Sequence, residues 1–279
     1  VILSFDGKHN SAALEFFEIS FVLLCSVYVA LCIHNTLMPI ALVTGANRGL
    51  GFALARELAQ RGFHVLVGAR SLDRGQNAAA SLRSEGFAAD AVVLDMERPN
   101  TFAAVRDEIA AKFGVLDILV NNAGTMLEAE QWNTNTTLTI SPDVLRRTFQ
   151  INFFGPVELT QLLLPLLEHS PDGRIVNVST ILASLQLHAT PGSNTYETKT
   201  FGYNSSKTAL NAFTVHLAHA LRQSRIKVIG IHPGWVKTEL GGKGALIEPE
   251  DAARTIADAI TSPTTPVGVV LFGGKQLPW

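Results

Sequence analysis

From Ile40 onward, short apolar runs alternate with stretches whose apolar residues recur at helical spacing. The runs Ile40–Thr44, His64–Gly68, Ala91–Leu94, Leu116–Asn121, Arg174–Val178, Lys227–Ile231 and Val267–Phe272 are rich in Val, Ile and Leu. A strand with one face in water would alternate apolar and polar residues. Near-continuous runs mark strands buried on both faces, as in a parallel sheet between two helix layers. The helical period occupies Phe52–Arg61, Thr101–Phe113, Asp143–Leu167, Tyr203–Gln223 and Glu250–Thr261, and a further helix runs from an N-cap at Ser71 to about Ser84. Gly62 stands where a helix-ending glycine belongs, and Pro156 should bend the longest helix. Strict strand–helix alternation predicts an α/β fold: a Rossmann-type, doubly wound, seven-stranded parallel sheet with helices on both faces, in a single domain. Leu127–Ile140 and Gln186–Gly202 follow neither period and are expected to be loops.

Residues 1–37 do not share this pattern. Phe16–Ile33 is an almost unbroken apolar run containing Glu18. It is marginal against the roughly 20 residues that a membrane-spanning helix needs. Lys8 is the only cation before it, so it lacks the basic flank of a signal peptide. The first methionine, Met38, directly precedes the first strand. Residues 1–37 are therefore expected to be an extension outside the fold, with 38–279 as the folded domain. The other reading of residues 16–33 is a membrane anchor.

Composition narrows the function. The 279 residues are 47% hydrophobic and 16% charged, with a net charge of −2. That supplies one sizeable core and no basic surface for nucleic acid. Cys25 and Cys32 are the only cysteines, so residues 38–279 can form neither a disulfide nor a thiolate nucleophile. This is compatible with a reducing, cytoplasmic location. His216 and His219 share a helical face but find no third ligand in the pattern, and no metal is expected.

The chemistry begins at Thr44-Gly45-Ala46-Asn47-Arg48-Gly49-Leu50-Gly51, between the first strand and the first helix. Glycines there let the backbone approach a pyrophosphate, and the helix N-terminus offers unpaired N–H groups and a positive dipole end. The spacing resembles the TGxxxGxG loop of the short-chain dehydrogenase/reductase family. Further matches follow in order: Asn121-Asn122-Ala123-Gly124 ending strand four, Asn152 in a helix, Tyr203 and Lys207 in a YxxxK pair, and Pro233-Gly234-Trp235-Val236-Lys237-Thr238 after strand six. The resemblance spans residues 39–279 and none of 1–37.

The resemblance implies a nicotinamide site made of Gly45, Asn47, Arg48, Gly49, Leu50, Gly51, Arg70, Asp95, Met96, Asn122, Ala123, Gly124, Pro233, Gly234, Val236 and Thr238, shared with Tyr203 and Lys207. Family members that use NAD carry an acid where this chain has Ala69. Arg70 follows, and Arg48 lies in the phosphate loop, so two guanidiniums could grip a 2′-phosphate. NADP(H) is the expected cofactor. Asp95 resembles the residue that bonds the adenine edge; its other reading is a turn or capping aspartate.

Tyr203 and Lys207 are one helical turn apart. Free tyrosine titrates near 10, and a neighbouring cation should lower that value. By resemblance, Lys207 also holds the nicotinamide ribose, and Asn152 positions Lys207 through water. The family's serine usually sits second in a Ser-Ser pair, but this chain reads Val178-Ser179-Thr180. Register favours Thr180 as the hydroxyl that binds substrate oxygen; Ser179 is the alternative.

These features imply an NADP(H)-dependent oxidoreductase that moves a hydride between nicotinamide and a small carbonyl or alcohol, similar to carbonyl reductases. The rivals are a catalytically silent nucleotide sensor, which would usually lack the tyrosine or lysine, and a membrane-anchored reductase of lipid-like substrates, which requires residues 16–33 to be an anchor. No nucleic-acid partner is expected, and a homo-oligomer is compatible with the chain. The short, Gly-rich segment Glu239–Pro249 leaves no room for a helical lid, so a fairly open site accepting several carbonyls is expected.

Overall fold

Strand β1, Ile40–Thr44, is buried along its whole length and lies in the middle of the sheet. The computed structural model describes residues 38–128 and 136–279, and Pro39–Trp279 is one compact unit. The apolar run at residues 16–33 lies outside the described residues. So does part of the expected loop Leu127–Ile140.

Around β1 are β2 (His64–Ala69), β3 (Ala89–Val93), β4 (Ile118–Asn121), β5 (Arg174–Val178), β6 (Lys227–Ile231), β7 (Val270–Phe272) and β8 (Lys275–Gln276). Their order is β3-β2-β1-β4-β5-β6-β7-β8. The seven expected strands are all parallel. The eighth is a two-residue strand antiparallel to β7, turned back by Gly273-Gly274. Alternate side chains of each strand enter opposite cores. Ala41 and Val43 join Val65, Val67, Val120 and Val176 on one face. Ile40 and Leu42 join Leu66, Leu119 and Ile175 on the other.

Helices α1 (Gly49–Gln60), α2 (Leu72–Ser84) and α8 (Pro249–Thr261) cover the first face, burying Leu54, Leu58, Leu82, Ile256 and Ile260. Helices α3 (Asn100–Lys112) and α5 (Gly155–Glu168) bury Phe102, Ile109, Leu159, Leu163 and Leu167 on the second. Each such side chain contributes about 1.5–3 kcal/mol through burial. The remaining helices are α4 (Pro142–Phe149), α6 (Leu185–Ala189) and α7 (Phe201–Ala220).

Three expectations need correction. The single helix expected over Asp143–Leu167 is two, α4 and α5, joined by a π-helical turn at Gln150–Phe154. Pro156 is the second residue of α5, directly after the wide turn. The expected loop Gln186–Gly202 contains most of α6, which Ser184 caps by accepting from Leu187 N at 3.2 Å. Helix α1 begins at Gly49 rather than Phe52, so Gly51, the last glycine of the phosphate loop, already lies in its first turn. No helix precedes Pro249 in the segment after β6, as expected. Among the described residues, no helix is long and apolar enough to cross a membrane.

The sheet's order reverses at β1, between β2 and β4, and the loops leaving the strands' carboxyl ends gather there. Gly51 shows how tightly. A Cβ on it would collide with the Gly45 carbonyl and lie 2.5 Å from Asn122 Nδ2. Gly51→Ala is expected to destabilise the fold by about 1–3 kcal/mol, measured as a lower urea midpoint at unchanged slope.

Candidate active site

The phosphate loop uses Gly45 at φ 65° and Gly49 at φ 55°, left-handed conformations that favour glycine. The N-terminus of α1 has no side-chain cap and no acid in its first turn. Its N–H groups and positive dipole end therefore remain available to an anion. Arg48, at the N-cap position, pairs with Glu239 instead of lying alone at the cleft. Arg70 is exposed and makes no bond or ion pair among the described residues. Buried Ala69 ends β2 beside it.

Asp95 is already occupied. It accepts from Glu97 N at 3.1 Å and from Arg98 Nε at 2.8 Å, which is the turn reading of this residue. Met96 is buried, and its carbonyl accepts from Gln150 Nε2 at 3.1 Å. The Asn122 amide donates to Thr44 O at 2.8 Å, while Asn122 N and Ala123 N donate to Thr44 Oγ1 at 3.0 and 2.9 Å. That tripeptide thus ties β4 to β1 before it can serve a ligand. Val236 forms a bridge with Ile247, and the Thr238 methyl would lie 3.2 Å from a Cβ on Gly49. The segment after β6 therefore borders the phosphate loop.

Gly124 marks the convergence. It is exposed, and a Cβ there would lie 3.5 Å from both Asn152 Oδ1 and Lys207 Nζ. Tyr203 and Thr180 are both buried, and the Thr180 hydroxyl stands near enough to the phenol to favour its ionised form. Thr180 Oγ1 also accepts from Leu182 N at 3.1 Å. Ser179 points elsewhere: its Oγ donates to Asn211 Oδ1 at 2.5 Å inside the protein. Of the two candidate hydroxyls, Thr180 is the one beside the phenol.

Lys207 Nζ donates to Val178 O at 2.8 Å, and burial pushes its pKa down to about 8. Burial pushes Tyr203 up to about 12, opposed only in part by the Thr180 hydroxyl. This corrects the expectation of a lowered tyrosine, because desolvation of the phenolate outweighs the help of its neighbours. Asn152 is fully buried in the π turn. Its amide donates to Thr125 O at 2.8 Å and Ser206 Oγ at 3.0 Å, and its Oδ1 accepts from Thr125 N at 2.8 Å. It therefore reaches α7 through Ser206, the neighbour of Lys207.

One residue of this neighbourhood escaped the sequence reading. Glu128, in the loop after β4, is buried, and both its carboxylate oxygens accept from Tyr203 N at 3.1 Å. Burial raises its pKa against the bonds from Tyr203 and Gly202. An acid in an irregular loop, 75 residues from its partner, carries no periodic signal.

The sequence profile of the short chain dehydrogenase family matches residues 39–245. This chain belongs to that family. Short-chain dehydrogenase anuI of Penicillium roqueforti is 36% identical over 230 residues, covering 80% of this chain and 88% of the relative. Carbonyl reductase (NADPH) 1 of Mus musculus is 32% identical over 280 aligned positions, covering 86% and 98%. Among solved structures, a short-chain dehydrogenase/reductase from Burkholderia multivorans with bound NADP aligns at TM-score 0.75 and 28% identity, covering 87% of this chain and all (100%) of that one.

The two hydroxyls after β5 are separable by mutation. Ser179→Ala strands a buried Asn211 acceptor and is expected to cost about 1–3 kcal/mol of stability, with kcat per folded molecule little changed. Thr180→Val should lower kcat per folded molecule sharply, beyond the modest drop in melting temperature expected from leaving Leu182 N uncapped.

Proposed function

We propose that this protein is an NADP(H)-dependent oxidoreductase that reduces small aldehydes and ketones to alcohols, with Tyr203 as proton donor. The observation that carries this reading is the buried Tyr203–Thr180 hydroxyl pair beside Lys207 and the exposed Gly124. The chain's own groups suit the cofactor. The uncapped α1 terminus fits a pyrophosphate, and Arg70 is free for a 2′-phosphate that an acid at position 69 would repel. Arg48 can join it by leaving Glu239. Both partners of that pair are largely exposed, and such pairs are worth roughly 0.2–1 kcal/mol. A hydrogen bond to a charged group is worth about 1.5–3 kcal/mol, so the phosphate wins.

When bound, NADPH supplies the hydride that reaches the carbonyl carbon. Tyr203 Oη gives its proton to the carbonyl oxygen, to which the Thr180 hydroxyl also donates. A phenol held near 12 stays protonated at neutral pH, the form a proton donor needs. The Lys207 ammonium stabilises the phenolate left behind. Gly45, Asn47, Gly49, Leu50 and Gly51 would hold the phosphates, and Ala123, Gly124, Pro233, Gly234, Val236 and Thr238 would hold the nicotinamide end. Asn152 holds α7 to the loop after β4. The helix-free segment Glu239–Pro249 supports an open mouth and a range of carbonyls. Both cysteines precede the catalytic unit, and we place the activity in the cytoplasm.

Arg70→Asp combined with Arg48→Ser should move preference from NADPH toward NADH. Wild-type protein that already turns over faster with NADH would sink the cofactor reading. Tyr203→Phe keeps the ring and loses the proton, so turnover should vanish while NADPH affinity, read by fluorescence titration, stays near normal. In wild type, kcat/KM for ketone reduction should be level below the Lys207 value of about 8 and fall above it as the ammonium is lost. A profile that keeps rising past that point contradicts this role for Lys207.

A further inference from the structure

Helix α7 starts with a problem. Its N-cap residue, Thr200, makes no side-chain capping bond, and its hydroxyl donates to Asn204 Oδ1 at 2.6 Å. No acid lies in the first turn. The N–H groups of Gly202 and Tyr203 are nonetheless buried, and orphan donors there would be costly. Glu128 answers both. Its carboxylate accepts from Tyr203 N with each oxygen and from Gly202 N as well. Among the described residues no cation pairs with it. The positive end of α7 is what offsets its charge.

We propose that Glu128 is the positioning residue for Tyr203: its buried carboxylate, reaching across from the loop after β4, caps the first turn of α7 and thereby sets the phenol against Thr180. This rests on Tyr203 being the proton donor. Packing strengthens the assignment. A Cβ on Gly202 would strike Glu128 Oε2 and lie 3.1 Å from Ile140 Cδ1, so the carboxylate is pressed onto the bare glycine. A carboxylate presents two acceptor oxygens where glutamine presents one, which is why the charged form is worth burying here. The loop after β4 is also a wall of the cleft, so one contact couples that wall to the proton donor. Reacting groups displaced by about 1 Å can lose about 100-fold in rate.

The test uses Glu128→Gln, Glu128→Ala and Gly202→Ala in the full chain, with Tyr203→Phe alongside. Activities are normalised to folded protein. Relative to wild type, kcat is expected to fall about 10- to 100-fold in Glu128→Ala and less in Glu128→Gln, which keeps one acceptor. Gly202→Ala should also lose kcat, although alanine is the better helix former. NADPH affinity should hold in all three, because the phosphate loop is untouched. Amide exchange in residues 201–207 should quicken in Glu128→Ala and stay unchanged across residues 45–51. A lower melting temperature with kcat per folded molecule intact would show a purely structural cap and overturn the proposal. Unchanged exchange in residues 201–207 would overturn the contact itself. Full turnover in Tyr203→Phe has a different signature: it removes the proton-donor reading, whatever the exchange data say.

Discussion

Helix α7 must lie in one register against the ends of β4 and β5, and the rest of the site depends on that seam. Apolar packing alone would let a helix slide or rotate by a fraction of a turn at little cost. Buried amides and hydroxyls do not allow it, since each unpaired polar group is costly away from water. Asn121 donates to Asn177 Oδ1 at 2.8 Å and to Thr160 Oγ1 at 3.1 Å, linking β4 to β5 and α5. Asn177 in turn donates to Thr214 Oγ1 at 2.9 Å on α7. Ser179 binds Asn211, and Thr208 Oγ1 donates to Ala183 O at 2.9 Å. Lys207, Thr214 and Asn211 therefore hold α7 to the sheet at successive levels, and Tyr203 inherits its place from them.

The same burial that fixes geometry also sets the proton chemistry. Tyr203 and Lys207 are pushed in opposite directions, the phenol up to about 12 and the ammonium down to about 8. Both shifts disfavour charge, as desolvation must. The pair is thus poised with the proton on the phenol, a state suited to donating to a carbonyl. His232, just past β6, follows the same rule: burial lowers it to about 4, and it packs as a neutral ring 4.8 Å from Phe272. It acts there as a packing group next to Pro233, which begins the segment bordering the phosphate loop.

Much of this was legible in order and in spacing. Runs such as Ile40–Thr44 and Arg174–Val178 identified strands buried on both faces, because a parallel sheet between helices leaves no polar face to alternate. Motif order placed Gly45, Tyr203 and Lys207 on the elements where they are found. Gly273-Gly274 and the two-residue β8 were missed because so short a strand has no period. The π turn at Gln150–Phe154 was invisible for a related reason: one wider turn alters the helical period too little to register in a stretch this apolar.

The sequence by itself determined which residue types could do chemistry, since a phenol, an ammonium, a hydroxyl and a glycine loop are local facts. It also determined the sheet, since burial on both faces is written into consecutive residues. Tertiary structure alone decided which hydroxyl faces the phenol, for Thr180 and Ser179 are adjacent in the chain and differ only in the side of β5 from which each leaves. It decided that Arg48 meets Glu239, that Asn122 serves Thr44, and that Glu128 caps the helix of Tyr203. It also reversed the expected direction of the tyrosine pKa. The reason is common to all of these: hydrogen bonds, ion pairs and desolvation depend on what is near in space. Periodicity and spacing report only what is near along the chain.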